Sequence, residues 1–223
     1  MDPLKLLRAL EEFLFEAIAL LFFYPATLVR IVLRPLATMD YAETEEKQDG
    51  ESQYDDAVSP PLLLLLTILL TNVIALAAHA GVPHTDTPLT KLVFDSQQNL
   101  LLFRSLVFSL LPLVAAITLL RRQGRTLSRS SLRPPFFAQC YLTVPFALAV
   151  SLGGIGLQSS GDGARLAGGA ACALGMAWIL GAQAAWFRQK LGYGRLRAFA
   201  VALGVVLSAM VYILVVAAVV AFL

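Results

Sequence analysis

The sequence has 223 residues, of which 58% are hydrophobic and 14% charged, and its mean hydropathy is +0.73. Soluble domains carry about a quarter charged residues, so this chain has too few charges to cover a water-facing surface. The formal net charge of +2 gives no reason to expect a nucleic-acid partner. The composition therefore excludes an ordinary soluble domain and predicts that much of the chain faces lipid.

The first predicted element is the apolar segment Phe13–Leu33, which is interrupted by Glu16, Pro25 and Arg30. Acidic residues precede it where a signal peptide would carry basic ones, and no cleavage site of small residues follows it. Two interpretations remain: a sixth span kinked at Pro25, or two short amphipathic helices in the membrane interface, broken at Pro25. We favour an interfacial or re-entrant segment over residues 1–37, because charges enter at both of its ends.

An acidic stretch follows this segment. Residues 38–60 hold eight of the fifteen Asp and Glu residues of the chain, together with Gly50 and several Ser and Gln residues. This composition is typical of a solvated, flexible linker. The acids lack the spacing of an EF-hand loop, so we do not expect a calcium site.

Five apolar segments in residues 61–223 are long enough to cross a membrane, since about 30 Å of hydrocarbon requires roughly 20 helical residues. The second of them contains Arg104 one turn from its start, and we expect this side chain to snorkel to the interface. The predicted fold is therefore an all-α transmembrane bundle of five helices. Their predicted bounds are Leu62–Gly81, Leu100–Leu120, Phe136–Leu157, Leu166–Phe187 and Phe199–Leu223.

Lys and Arg residues are distributed unequally between the two sides of these segments. Fourteen of the seventeen lie in the first 60 residues or in the loops after the second and fourth spans. The positive-inside rule then places the N-terminus and both loops in the cytoplasm and the C-terminus outside, as in a bacterial inner-membrane protein. Because both loops lack acids, we also expect them to bind anionic lipid headgroups. The candidate residues are Arg121, Arg122, Arg125, Arg188 and Arg197.

Polar residues inside predicted spans are candidates for function, because burying them in lipid is expensive. We single out Asn72, His79, Gln139 and Gln183, which would form a transport site if they lined one cavity. Interhelical hydrogen bonds explain the same residues, and we expect this ordinary packing role to be the more frequent one. None of the five spans contains a central Asp or Glu, which disfavours proton-coupled transport.

Small residues predict close packing by the fourth span. Ala167, Ala171 and Gly175 recur at four-residue spacing, which lets another helix approach from within the bundle or from a second copy of the chain. In contrast, the glycines of residues 153–156 are expected to loosen the end of the third span. Trp186, beside a basic turn, is typical of an aromatic anchor at the membrane interface.

The patterns that indicate an enzyme do not occur in the sequence: paired carboxylates, Ser/His/Asp sets, HExxH motifs or glycine loops for phosphate. His79, His84 and Asp86 offer too few ligands for a metal site. Cys140 and Cys172 have no metal-binding or disulfide spacing. We therefore predict no catalytic residues, no metal and no cofactor.

Several motifs follow one another along the chain. Pro25-Ala26-Thr27 lies in the N-terminal segment and Ser59-Pro60-Pro61 opens the first span. The run from Phe136 to Pro145 enters the third span, and a basic turn at residues 191–198 opens the fifth. In this arrangement the sequence resembles the Yip1-domain family in its bacterial form, although the long acidic linker departs from the family pattern.

The resemblance implies five spans, a cytoplasmic N-terminus and a role in membrane organisation rather than catalysis. The expected function is therefore that of a non-enzymatic membrane protein that organises lipid or assembles with a partner. That partner would be a second copy of the chain or another membrane protein. The alternative is a permease for a small or amphipathic solute, which rests on Asn72, His79, Gln139 and Gln183 converging on one cavity. Bacterial members of the family are often called permeases.

Overall fold

The structure, a computed structural model, describes residues 3–47, 54, 56–80 and 96–222. Within these ranges the chain forms seven helices and no strand, which confirms the all-α prediction. The helices are α1 (Pro3–Leu33), α2 (Pro35–Glu45), α3 (Pro60–Ala77), α4 (Gln97–Arg122), α5 (Arg129–Leu157), α6 (Asp162–Leu191) and α7 (Arg195–Phe222).

Five of these helices, α3 to α7, are long and apolar enough to cross a membrane, as predicted. Helix α5 begins seven residues before the predicted start, because Ser128 caps it. The Ser128 hydroxyl accepts a hydrogen bond from the Ser131 backbone N–H, and the Ser131 hydroxyl accepts one from the Ser128 N–H. This reciprocal capping box satisfies two backbone donors at the helix start, so the helix extends beyond its apolar part.

Helix α5 is the centre of the bundle and packs against α2, α3, α4 and α6. Its segment from Ala138 to Val144 is buried throughout. Within that segment, the Tyr141 hydroxyl donates a 2.6 Å hydrogen bond to the Val58 carbonyl oxygen, which ties the entry of α3 to α5. The hydrophobic core is therefore built around α5.

Helices α5 and α6 are antiparallel neighbours that approach each other through glycines. A Cβ atom added at Gly168 would lie 2.5 Å from the Gly153 carbonyl oxygen and 2.9 Å from the carbonyl carbon of Gly156. Contacts this short leave no room for a side chain, so glycine is required for the two backbones to meet. The expectation that residues 153–156 loosen the end of this span is wrong, since Gly153 and Gly156 let the two helix backbones meet there.

Helix α1 passes through Pro25 without a break, so the predicted break at that residue is wrong. The Thr27 hydroxyl donates a 2.6 Å hydrogen bond to the carbonyl four residues before it. This bond lies beside the one that proline cannot make, an arrangement that membrane helices tolerate. The chain turns instead at Arg34, with φ −137° and ψ 60°, because the residue before Pro35 is disfavoured in the helical region.

The part of α1 from Ile18 onward and α2 meet at 120°, and together they pass the same length and hydropathy test as one broken span. The Tyr24 hydroxyl lies 3.0 Å from Thr67 Oγ1, which is about 10 Å beyond the start of α3. Arg30 pairs with Asp56, which precedes α3. Arg30 of α1 therefore lies near the start of α3, and Tyr24 lies beside the middle of α3. This part of α1 runs along α3 into the bundle and does not lie only across its end.

The first part of the predicted flexible linker is an ordered helix. Helix α2 packs against α5 and α6 and buries Thr38, Met39, Ala42 and Glu43. The prediction of a linker starting at residue 38 is wrong here, because α2 has a buried face of small and apolar side chains and because its acids find basic partners. Of the remaining acidic stretch, residues 48–53 and 55 lie outside the described residues.

Candidate functional site

The α4–α5 and α6–α7 connections lie at the same end of the bundle, which we call the basic end, and α2 is held there by an ion-pair cluster. Lys190 Nζ lies 2.7 Å from Asp40 Oδ1 and 2.8 Å from Glu43 Oε2. The same ammonium group lies 4.3 Å from the centre of the Trp186 ring. Glu43 is 8% exposed, so its charge depends on Lys190 for compensation.

A second acid of this region, Glu46, is held from two sides. The Tyr54 hydroxyl donates a 3.0 Å hydrogen bond to Glu46 Oε1. Arg133 Nε lies within ion-pair distance of Glu46 Oε2, but its N–H is not aimed at that oxygen, so the contact is an ion pair without a hydrogen bond. The Glu46 side chain is 1% exposed, which makes Arg133 its main electrostatic support.

Asp56 connects three segments at the same end. Its carboxylate accepts a 2.6 Å hydrogen bond from the Tyr41 hydroxyl of α2 and a 3.1 Å hydrogen bond from Arg30 Nη1 of α1. The hydrogen bond from Tyr41, followed by that from Arg30, holds the pKa of Asp56 below its usual range. The carboxylate therefore stays ionised at physiological pH and links α1, α2 and the chain before α3.

Two hollows open beside these clusters. A cavity of about 370 Å³ lies at the basic end, between the C-terminal part of α2 and the α4–α5 connection, and both Glu43 and Glu46 line it. A larger groove of about 960 Å³ adjoins it at Ser130 and combines basic with apolar side chains. The groove is lined by Leu113, Arg129, Ser130, Leu132, Arg133, Phe136 and Phe137.

The five arginines predicted to bind headgroups are exposed, and all of them belong to the basic end. Arg125 lines the 370 Å³ cavity, and Arg121 lines a third hollow of about 360 Å³ together with Tyr212. The Arg197 guanidinium lies 4.0 Å from the centre of the Tyr193 ring. The other two are Arg122 and Arg188. The sequence-based set did not include Arg129 and Arg133, which line the groove.

The four polar residues predicted as a transport site are not brought together. Ala149 faces Gly175 across the α5–α6 pair, so Gln139 and Gln183 lie at similar levels near the basic end. Asn72 lies at a different level. Its neighbour Thr71 lines one cavity with Val150, so Asn72 lies about level with the residue after Val150 in α5. That level is twelve residues, or roughly 18 Å, along α5 from Gln139. His79 is exposed, with φ 49°, just after α3. The four side chains therefore cannot line one small cavity.

Gln139, Gln183 and Trp186 share an unusual property near the basic end. Each is buried and has one polar atom without a hydrogen-bond partner among the described residues: Gln139 Nε2, Gln183 Oε1 and Trp186 Nε1. Trp186 is fully buried, so the prediction that it anchors the protein at the membrane interface is wrong. Its ring instead supports the ammonium group of Lys190.

The predicted small-residue face of α6 is displaced by one position. Gly175 packs against α5, where an added Cβ would lie 2.7 Å from Ala149 Cβ. Ala171 is half-buried and Ala167 is exposed. A contact two helical turns nearer the start of α6 is made by Gly168, which sits directly against the α5 backbone, because seven residues span two turns and return to the same helix face.

Arg104 turns inward at the end of the bundle opposite the basic end. Its Nη1 donates a 2.7 Å hydrogen bond to Asn72 Oδ1, and Asn72 is 5% exposed. The expectation that Arg104 snorkels outward is therefore wrong. The side chain lines a cavity of about 230 Å³ between α3, α4 and α5.

Among the described residues, no group of three or more His, Cys, Asp and Glu side chains is placed to hold a metal ion. The predicted histidine pair is only partly tested, since His84 and Asp86 lie outside the described residues. Cys140 is buried and Cys172 is half-buried, and both are free thiols.

No protein-family model matches the sequence, and comparisons with curated proteins and with solved structures gave no match. Membership of the Yip1-domain family is therefore neither supported nor contradicted. The fold and its apolar helices define the chain as a membrane-spanning helical protein. The groove and the arginines at its basic end are its best candidate functional site.

Proposed function

We propose that this protein is a non-enzymatic, bacterial inner-membrane protein of Yip1-like type that binds anionic phospholipids at its basic end. In this proposal the basic end faces the cytoplasm, where the positive-inside rule places loops rich in Lys and Arg. The cytoplasmic leaflet supplies anionic headgroups, whose attraction is worth about 1 kcal/mol for each basic residue near the surface.

One observation carries the proposal: the groove joins arginines to an apolar wall at the end of a span. Arg129 supplies an exposed guanidinium group, which matches phosphate oxygens in geometry and charge, and Arg133 lies beside it in its ion pair with Glu46. Leu113, Phe136 and Phe137 supply apolar surface next to them. A phospholipid offers the same order of groups, with an anionic phosphate above an acyl chain.

The ion-pair clusters explain how the groove keeps its charge. Three acids in or just after α2 lie close by, and they would cancel nearby arginines if they were free to move. Lys190 binds Asp40 and Glu43, and Arg133 supports Glu46. These three acids are thereby occupied, while Arg129 in the groove and Arg121 in the neighbouring 360 Å³ hollow stay exposed for a ligand.

A permease is the less favoured function. Because Asn72 lies far from Gln139 and Gln183, these side chains do not line one shared cavity, which favours the lipid-binding proposal over transport. The glycine contacts between α5 and α6 also favour a closely packed interior over a water-filled path. These observations support a role exercised through surfaces in contact with lipid or with a partner chain.

Phosphatidylglycerol is expected to raise the thermal unfolding temperature of the detergent-solubilised protein more than phosphatidylcholine does, because binding to the folded state stabilises it. The double variant Arg121→Gln/Arg129→Gln is expected to lose at least half of that difference. Arg133 is left unchanged because it also supports Glu46. Arg165→Gln, which removes an exposed cation at the opposite end, serves as the matched control. Equal effects of both lipids on the wild type would contradict the proposal.

A further inference from the structure

Arg104 occupies a position that headgroup binding at the basic end does not explain. It is the eighth residue of α4, inside a segment apolar enough to cross a membrane. Its hydrogen bond to Asn72 directs the guanidinium towards the interior. Because the Asn72 amide is neutral, it satisfies a hydrogen bond of Arg104 without cancelling the positive charge.

No carboxylate in the described part of the chain forms an ion pair with Arg104. There, the basic residues that form ion pairs are Arg30, Arg133 and Lys190, all at the basic end. A guanidinium at membrane depth is costly unless an opposite charge or water compensates it. The described residues around Arg104 thus provide the hydrogen bond but not the countercharge.

The cavity next to Arg104 has the size and chemistry for a small anion. Its volume of about 230 Å³ is below the range of drug-sized ligand sites, about 300–1,000 Å³, and corresponds to several water molecules at about 30 Å³ each. A guanidinium has five N–H donors, and Asn72 engages Nη1 only, so donors remain for a ligand. The other polar side chains on the wall are Thr71, Ser151 and Gln158.

We propose that Arg104 and this cavity bind an oxyanion, a phosphate or carboxylate group, that serves as its countercharge. Such a group has two possible sources: a small anion dissolved in water, or the phosphate of a lipid headgroup in the leaflet at this end. The site is separate from the basic end, so it does not depend on the lipid groove described above.

The first test measures thermal unfolding of delipidated protein in a non-ionic detergent. Sodium phosphate and sodium chloride are compared at equal ionic strength, and phosphatidylglycerol is compared with phosphatidylcholine in mixed micelles. Bound oxyanion is expected to raise the unfolding temperature by about 2–4 °C, and Arg104→Gln is expected to lose this rise. Arg165→Gln, a cation removed at the same end, is expected to keep it. If Arg104→Gln loses a response to phosphate, the ligand is a dissolved anion. If it loses only a response to phosphatidylglycerol, the ligand is a lipid headgroup.

A second variant keeps the test decisive if Arg104→Gln does not fold. Asn72→Asp places a carboxylate at hydrogen-bond distance from Arg104, so the protein supplies its own countercharge. This variant is expected to be at least as stable as the wild type without added anion, and to respond to neither phosphate nor phosphatidylglycerol beyond the basic-end effect. A wild type that responds to neither ligand, or an Asn72→Asp variant that keeps the full wild-type response, would overturn the proposal.

Discussion

Replacing Gly168 with alanine is expected to lower the free energy of unfolding by about 1–3 kcal/mol, the usual cost of overpacking a tight contact. The added Cβ would lie 2.5 Å from the Gly153 carbonyl oxygen and 2.7 Å from the Leu157 backbone nitrogen. Backbone atoms cannot turn away as a flexible side chain can. The α5–α6 pair must therefore separate, which also disturbs the contacts that α5 makes with α3 and α4.

Gly181→Ala is the matched control, because it makes the same chemical change in the same helix. An added Cβ at Gly181 meets nothing within 4 Å, so this variant should gain up to about 1 kcal/mol from alanine's higher helix propensity. Reversible unfolding in mixed detergent micelles measures both variants. Equal stability of the Gly168 and Gly181 variants would show that the close α5–α6 contact is wrong.

Lys190→Met is expected to release α2 from the basic end. The substitution keeps an apolar stem against Trp186 but removes the ammonium group from between Asp40 and Glu43. Glu43 would then be a largely buried carboxylate without its cation. Leaving a buried charge without its partner costs about 3–5 kcal/mol, which α2 avoids by detaching.

Hydrogen–deuterium exchange of residues 35–45 measures this release directly, because local opening exposes backbone amides that docking protects. Faster exchange is expected in α2 and little change in α5. Arg188→Met, which removes an exposed cation two residues away, is the control and should leave the exchange of α2 unchanged. Unchanged protection of α2 in the Lys190 variant would contradict the ion-pair cluster as the element that holds it.

The five spans could be predicted from the sequence because each depends on its own composition. Twenty consecutive apolar residues satisfy the length of a membrane crossing regardless of what lies next to them. Helix α2 could not be predicted in this way. Its acids are typical of solvated chain, and Lys190, the residue that neutralises Asp40 and Glu43, lies far along the sequence in another helix.

The same limit explains the errors in the candidate sites. A glycine either loosens a helix or permits a close contact, and only the backbone that faces Gly153 decides between the two. Arg104 and Asn72 are 32 residues apart on different helices, so the sequence indicates an outward arginine as readily as an inward one. Shared depth in the membrane, not a shared face of one helix, decides which polar residues meet.

Native mass spectrometry in a mild detergent that contains equal amounts of phosphatidylglycerol and phosphatidylcholine tests the central claim most directly. The proposal predicts that the wild type retains mainly phosphatidylglycerol and that Arg121→Gln/Arg129→Gln retains less of it, while Arg165→Gln behaves as the wild type. The same spectra report a homo-oligomer or a partner chain by mass. Equal retention of the two lipids by the wild type would contradict an anionic-lipid site at the basic end.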